Sequence, residues 1–303
     1  MIVVTGGAGF IGSNLIKHLN QRGEKNILLI DCLKNGRQVS NIADLDIVDY
    51  LDKKIFEISK FNHVRAVFHQ GACSDTTEWD GEFLMENNYA YSKRLLLSCL
   101  SKNIPFIYAS SAAVYGTHGR PLNMYAYSKF LFDEWVKTLL PRTQTQIIGL
   151  RYFNVYGPRE QHKGPMRSVV SQFNDQIIQN GVVRLFGAHA GVASGEQKRD
   201  FVYVDDVANI NLWFLEHPNL GGIFDVGTGQ AETFNAVAKE IINLHGRGSI
   251  EYINFPEQLK NVYQSNTQAN ISLLREFGYE KPFLTLEQGI RRYCNRLDVS
   301  LKS

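Results

Sequence analysis

Tyr125 and Lys129 stand one helical turn apart in the run Tyr125-Ala126-Tyr127-Ser128-Lys129. On a helix their side chains would share a face. An ammonium beside a phenol favours the phenolate, and so would draw the Tyr125 hydroxyl down from its usual pKa of about 10 toward the working range of a general base. Alone, such a pair also describes an ordinary solvated helix face. What changes its weight is the apolar run Ile104 to Ala109 upstream, which predicts a buried strand ending in Ser110-Ser111-Ala112-Ala113. In open α/β sheets ligands sit at the carboxyl ends of strands, which is where these hydroxyls would emerge.

A second stretch with chemical content opens the chain, Val3-Val4-Thr5-Gly6-Gly7-Ala8-Gly9-Phe10-Ile11-Gly12. A short apolar strand breaks into glycines and resumes with helical spacing (Ile11, Leu15, Ile16, Leu19). Gly6 suits a tight turn, Gly9 has no Cβ to hold a pyrophosphate off the backbone, and Gly12 permits close packing of helix on strand. The helix would then aim its free N–H groups and positive end at the phosphates. A second strand, Ile27 to Ile30, ends in Asp31, about 20 residues past the turn, where a ribose hydroxyl needs an acceptor. Asp31 alone favours NAD, whereas Lys34, Arg37 and Lys53 are cations suited to a 2′-phosphate, or are simply solvated. A further strand, Ala66 to His69, runs into Gln70-Gly71-Ala72-Cys73-Ser74, whose small residues would let backbone approach a dinucleotide.

The elements that must position these residues read as an α/β fold, a Rossmann-type doubly wound parallel sheet followed by a smaller α/β substrate lobe. A helix is predicted from Gly81 to Lys102, with Phe83, Leu84, Tyr91, Leu95 and Leu96 on its apolar face and Asn87 and Asn88 inside it. A polar amide among core positions needs a partner, so one of the two is expected to bond a neighbouring loop. Gln146 to Arg151 reads as another buried strand leading through Arg151-Tyr152-Phe153-Asn154-Val155-Tyr156-Gly157-Pro158-Arg159 to a polar loop, Glu160 to Pro165. A helix from Ser168 to Gln179 follows, and Phe201 to Val204 and Ile223 to Gly229 look like returning strands. The domain reading is residues 1–165, with roughly 201–228 returning, for the dinucleotide half, and 166–200 with 229–303 for the substrate lobe. Gly187 to Lys198 is expected to be mobile, and an amphipathic helix is expected from Leu284 to Leu297.

Thirty-two basic and thirty acidic residues among 303 leave a net charge of +2, which gives no electrostatic ground for a nucleic-acid or membrane partner. The four cysteines are dispersed, without the spacing of a metal knuckle or the density of a disulfide scaffold, and fit reduced thiols. A strand starting at Met1 or Ile2 predicts no cleavable leader, and no apolar run approaches bilayer length, so a cytoplasmic protein is expected. None of the eight histidines lies three to five residues from another, and no metal is expected.

The glycine turn with Ser111, Tyr125 and Lys129 resembles the extended short-chain dehydrogenase/reductase group, which includes nucleotide-sugar epimerases and dehydratases. Ala72 to Gly81, Arg151 to Gly164 and Lys198 to Val204 resemble, over essentially the whole chain, the ADP-L-glycero-D-manno-heptose 6-epimerase family. That resemblance implies an isomerase that inverts C6″ of ADP-D-glycero-D-manno-heptose through a transient 6″-keto sugar, supplying heptose for the lipopolysaccharide inner core. It implies Tyr125 as catalytic tyrosine, Lys129 as its partner and ribose contact, Ser111 as hydrogen-bonder at the reacting oxygen, and Lys163 as a second acid/base. Implied cofactor positions are Gly6, Gly9, Phe10, Ile11, Gly12, Asp31, Cys32, Lys53, Gln70, Gly71, Ala72, Cys73, Ser74, Asn87, Val155 and Lys163. Implied substrate positions are Asn154, Lys163, Pro165, Gln172, Phe186, Gly187, Ala188, Arg199 and Tyr263. The family prefers NADP and carries a lysine where this chain has Gln38, with Arg37 next door, so NADP is expected and NAD stays open. The family also implies a homopentamer. Another nucleotide-sugar 4-epimerase or dehydratase, or a non-catalytic dinucleotide sensor, are the alternative functions; Ala112-Ala113 after Ser111 lacks the acidic pair of a dehydratase.

Overall fold

The computed structural model describes residues 1–117, 119–257 and 263–300, without the side chains of 296–300. Its strands are β1 (Ile2–Thr5), β2 (Ile27–Asp31), β3 (Asp49–Asp52), β4 (Ala66–His69), β5 (Phe106–Ser111), β6 (Ile147–Tyr152), β7 (Asn154–Tyr156), β8 (Val182–Phe186), β9 (Lys198–Tyr203), β10 (Gly222–Val226), β11 (Ala231–Thr233), β12 (Ser249–Ile253) and β13 (Asn266–Thr267). Its helices are α1 (Phe10–Gln21), α2 (Val39–Ile42), α3 (Gly81–Leu84), α4 (Tyr91–Ser101), α5 (Met124–Leu139), α6 (Val169–Asn180), α7 (Val204–Glu216), α8 (Phe234–His245), α9 (Ser272–Glu276) and α10 (Leu286–Ser300).

Seven parallel strands form one sheet in the order β10-β6-β5-β4-β1-β2-β3. Both faces are covered, so β1, β2 and β4 are apolar runs up to their last residues, Thr5, Asp31 and His69, rather than alternating. Ile2, Val4 and Leu29 face Leu15, Ile16 and Leu19 of α1 and Val207, Ile210 and Phe214 of α7. Val3, Leu28 and Val67 face Leu95, Leu96 and Cys99 of α4 and Phe132 and Val136 of α5. The winding direction reverses between β1 and β4, and the crevice of a doubly wound sheet opens at the carboxyl ends of those strands. The α/β expectation is met: this is a Rossmann-type fold.

The remaining strands form two small sheets, β11-β9-β13 with β7 on β9, and β12-β8. They pack with α6, α8 and α10 around a separate core that includes Phe173, Ile177, Leu185, Tyr203, Ile241 and Tyr293. Thus β10 returns to the large sheet, whereas β9, in the returning stretch, pairs outside it.

Several boundaries differ from the sequence reading. The edge strand β3, Asp49-Tyr50-Leu51-Asp52, carries two acids and no apolar run, so it left no strand signature. The predicted Gly81 to Lys102 helix is continuous but contains a π turn over Met85–Ala90, and Phe83 is 42% exposed rather than part of the apolar face. The C-terminal helix begins at Leu286, and Leu297 lies outside the described side chains. Among the described residues no helix is long and apolar enough to cross a membrane.

Candidate active site

The glycine turn is built by close backbone approaches. Gly6 has φ +68°, and a Cβ there would stand 2.5 Å from the Gly71 nitrogen, so the β1 turn and the β4 loop touch backbone to backbone. A Cβ on Gly12 would be driven into the Gly6 carbonyl, so Gly12 is needed for helix against turn, while Gly7 is the glycine set against Leu29 of β2. Gly12→Ala is therefore expected to lower unfolding free energy by about 1–3 kcal/mol and to release dinucleotide from the purified protein, measured by denaturant titration and ultraviolet absorbance. Gly9 caps α1 without a side-chain acceptor, which leaves the helix's positive end to an anion. The Asp31 carboxylate accepts from Ala8 N at 2.9 Å and Cys32 N at 2.7 Å, so it ties the end of β2 to the turn as well as facing the cleft.

One cleft of about 590 Å³ joins this turn to the residues of the second stretch. Its walls include Gly6, Gly9, Phe10, Ile11, Gly12, Asp31 and Gln38 on one side, and Ser111, Tyr125, Lys129, Asn154, Val155, Lys163 and Arg199 on the other. Gln70, Gly71, Ala72 and Ser74 lie between. Ser111 ends β5, and its oxygen accepts from Ala113 N at 3.2 Å. Asn123 caps α5 by accepting from Ala126 N at 2.8 Å, which fixes the first turn carrying Tyr125.

The expected lowering of the Tyr125 pKa is not what this arrangement produces. Burial raises it, and a hydrogen bond from Ser111 only partly opposes that rise. The Lys129 ammonium is turned to the strand, donating to Ala109 O at 2.9 Å, and burial pulls its pKa down to about 8 against the attraction of Asp133. Sequence spacing placed the two residues on one face but not the lysine's partner.

Asp133, one turn beyond Lys129, is fully buried and accepts from Tyr108 Oη at 2.9 Å, Ser110 Oγ at 3.0 Å and Arg151 Nε at 2.8 Å. Arg151 continues to Tyr115 Oη at 2.9 Å, and Tyr115 donates to Asp225 at 2.6 Å. This network bolts α5 to β5, β6 and β10. Asp133→Ala would strand the Arg151 charge, and an unfolding free energy lower by about 3–5 kcal/mol is expected in denaturant titration.

The Lys163 amine lies 5.7 Å from the centre of the Phe10 ring, and burial lowers its pKa while Glu160 raises it. Arg199 stacks over Tyr263 at 4.9 Å, and Tyr263 in turn meets Phe186 at 6.3 Å. Gly187 N bonds Ile253 O at 2.7 Å, Ala188 is exposed, and Gln172 turns back to the carbonyls of Pro165 at 3.2 Å and Arg167 at 2.8 Å. Lys53 bonds the Asn87 side chain, and the two line a separate cavity of about 660 Å³ with Phe56, Phe83 and Tyr91. Of the paired amides, Asn88 is the one that bonds a loop: it accepts from Cys73 N at 2.9 Å and donates to Cys73 O at 3.0 Å and Ser128 Oγ at 3.1 Å. Asp133 and Glu160 were not singled out by sequence; an acid inside Phe130-Leu131-Phe132-Asp133 was the available signal for the first.

The residues fit a dinucleotide, since the backbone cradle at Gly6 and Gly12 excludes any Cβ and Asp31 stands at its edge. Comparison with known proteins agrees. The model of the NAD dependent epimerase/dehydratase family matches residues 2–227. Among solved structures, ADP-L-glycero-D-manno-heptose-6-epimerase of Helicobacter pylori is 31% identical with a TM-score of 0.84, over 98% of this chain and 96% of that one. UDP-glucose 4-epimerase of Thermus thermophilus, in complex with NAD, is 25% identical with a TM-score of 0.81, over 98% of each chain. UDP-N-acetylglucosamine 4-epimerase of Methanobrevibacter ruminantium shares the fold at 24% identity and a TM-score of 0.85, over 99% of this chain and 98% of that one. This chain belongs to the NAD dependent epimerase/dehydratase family.

Proposed function

We propose that the protein inverts C6″ of ADP-D-glycero-D-manno-heptose, giving the L-glycero epimer through a transient 6″-keto sugar. The observation that carries the reading is that Tyr125 and Lys163, from separate segments of the chain, line one cleft with the glycine turn. Inversion turns opposite faces of C6″ to the same cleft, so the hydroxyl proton must be taken on one side and given back on the other. Two titratable groups meet that need. Tyr125, hydrogen-bonded by Ser111, would serve one face, and Lys163 the other. A bound NADP or NAD would supply the hydride acceptor and donor. Gly6, Gly9, Phe10, Ile11, Gly12 and Asp31 would hold it, whereas Lys53 and Asn87, which the resemblance also implied, line the separate cavity. Arg199 has a planar fork suited to two diphosphate oxygens, and Tyr263 and Phe186 lie on its far side.

The choice of a 6-epimerase over a 4-epimerase rests on the stretches Ala72 to Gly81 and Arg151 to Gly164, together with the likeness to the Helicobacter enzyme. Ala112-Ala113 after Ser111 leaves no acid beside the serine for dehydration. Incubating the purified protein with ADP-D-glycero-D-manno-heptose and resolving the sugar by chromatography tests it. Appearance of the L-glycero epimer is expected. An inert ADP-heptose with turnover of UDP-glucose to UDP-galactose would replace this reading with that of a 4-epimerase.

A further inference from the structure

Lys163 sits on a loop whose form is imposed by one buried acid. Glu160 is fully buried, and its carboxylate accepts from Gly157 N at 3.3 Å, from Ser168 Oγ at 2.7 Å and from Ser168 N. Gly157 opens the loop, and Ser168 closes it as the N-cap of α6. Next along the loop, the Gln161 side chain donates to the Tyr293 hydroxyl of α10 at 3.4 Å. The carbonyl of Glu160 accepts the Lys163 N–H at 3.0 Å. On the opposite flank, Arg159 bonds the Asp44 carboxylate at 2.6 and 2.7 Å, and His162 meets Asn41 at 2.9 Å.

Such an arrangement is more than a loop needs in order to be ordered. A carboxylate taken wholly out of water is costly unless its lone pairs are filled. Here both oxygens are filled from the two ends of the loop, and the group they converge on stands three residues from the only lysine that enters the cleft on this loop. Burial raises the Glu160 pKa while its three N–H and O–H donors and the Lys163 charge favour ionisation.

We infer that Glu160 is a positioning residue for Lys163: its buried carboxylate ties the two ends of the 157–168 loop together, with Gln161 beside it joining the loop to Tyr293 of α10, and so fixes the amine in the cleft. The inference rests on the two-base reading of the reaction. It makes the C-terminal helix part of the apparatus for one proton transfer and not the other.

The test exploits that one-sidedness. Enzyme loaded with oxidised dinucleotide is mixed with ADP-D-glycero-D-manno-heptose and, separately, with its L-glycero epimer, and hydride uptake is followed by absorbance of the reduced nicotinamide. Lys163→Met is the reference and should slow uptake from one epimer only. Glu160→Gln keeps the size of the side chain and removes the anionic acceptor; it is expected to slow uptake from that same epimer by about 10²-fold and leave the other near the wild-type rate. Equal slowing of both epimers would make Glu160 a merely structural residue, and no slowing would also overturn the inference. Should Lys163→Met slow both epimers alike, the two-base reading fails and the inference with it, an outcome distinct from failure of Glu160→Gln alone. Tyr293→Phe, which keeps the carboxylate and its serine bonds, covers the case in which Glu160→Gln does not accumulate. A weaker loss confined to the same epimer supports the inference, and an even loss or none overturns it.

Discussion

Replacing Tyr125 by Phe is expected to lower kcat for epimerisation by about 10²–10⁴-fold with dinucleotide still bound. The ring stays, so the cleft wall it forms beside Ser111 is kept; only the oxygen is lost. In the proposed reading the dinucleotide is held at the glycine turn and Asp31, so ultraviolet absorbance of the purified variant should match wild type. At neutral pH the buried hydroxyl carries its proton, since burial raises its pKa. Ionisation has to be favoured by what surrounds it, and the Ser111 hydrogen bond is the neighbour that does so. A Tyr125→Phe enzyme within about tenfold of the wild-type kcat would take Tyr125 out of the proton path.

The limits of sequence reading are visible at this same residue. Spacing sufficed to place Tyr125 and Lys129 on one helix face, because helix geometry is periodic. It could not tell that the ammonium would donate to the Ala109 carbonyl, since that depends on how α5 lies across β5. The glycine turn was legible for the opposite reason: a backbone that passes 2.5 Å from a would-be Cβ leaves a single residue type, and so writes itself into the chain. The Gly12 contact shows the boundary of that inference, for the residue type was foreseen and its neighbour, Gly6 rather than the strand, was not. Strands buried on both faces were found from their apolar runs, while β3, with acids at both ends on the sheet edge, was invisible. Asn88 could be anticipated because an amide in a core must find a partner. Glu160 could not, since a charged residue in a polar loop reads as solvated until the fold closes over it.

Lys163→Met is expected to lower kcat for epimerisation by about 10²–10⁴-fold, again with dinucleotide retained. Methionine keeps the reach of the side chain and its packing near Phe10 but has no titratable group. Burial lowers the Lys163 pKa from its ordinary value and the Glu160 carboxylate limits the fall, so the free amine is closer to hand than on a solvated lysine. The free amine grows as pH rises through that lowered value, and it is the form that takes a proton from a hydroxyl. The ammonium, below it, is the form that returns one to a carbonyl oxygen. Lys163→Arg separates this role from simple charge. A guanidinium stays protonated throughout and can attract a phosphate or a keto oxygen, yet it has no neutral form to act as base. Arginine should therefore fail to restore turnover at any pH. Recovery with arginine would make Lys163 an electrostatic clamp on the substrate, and a second proton carrier would then have to be sought elsewhere along the cleft.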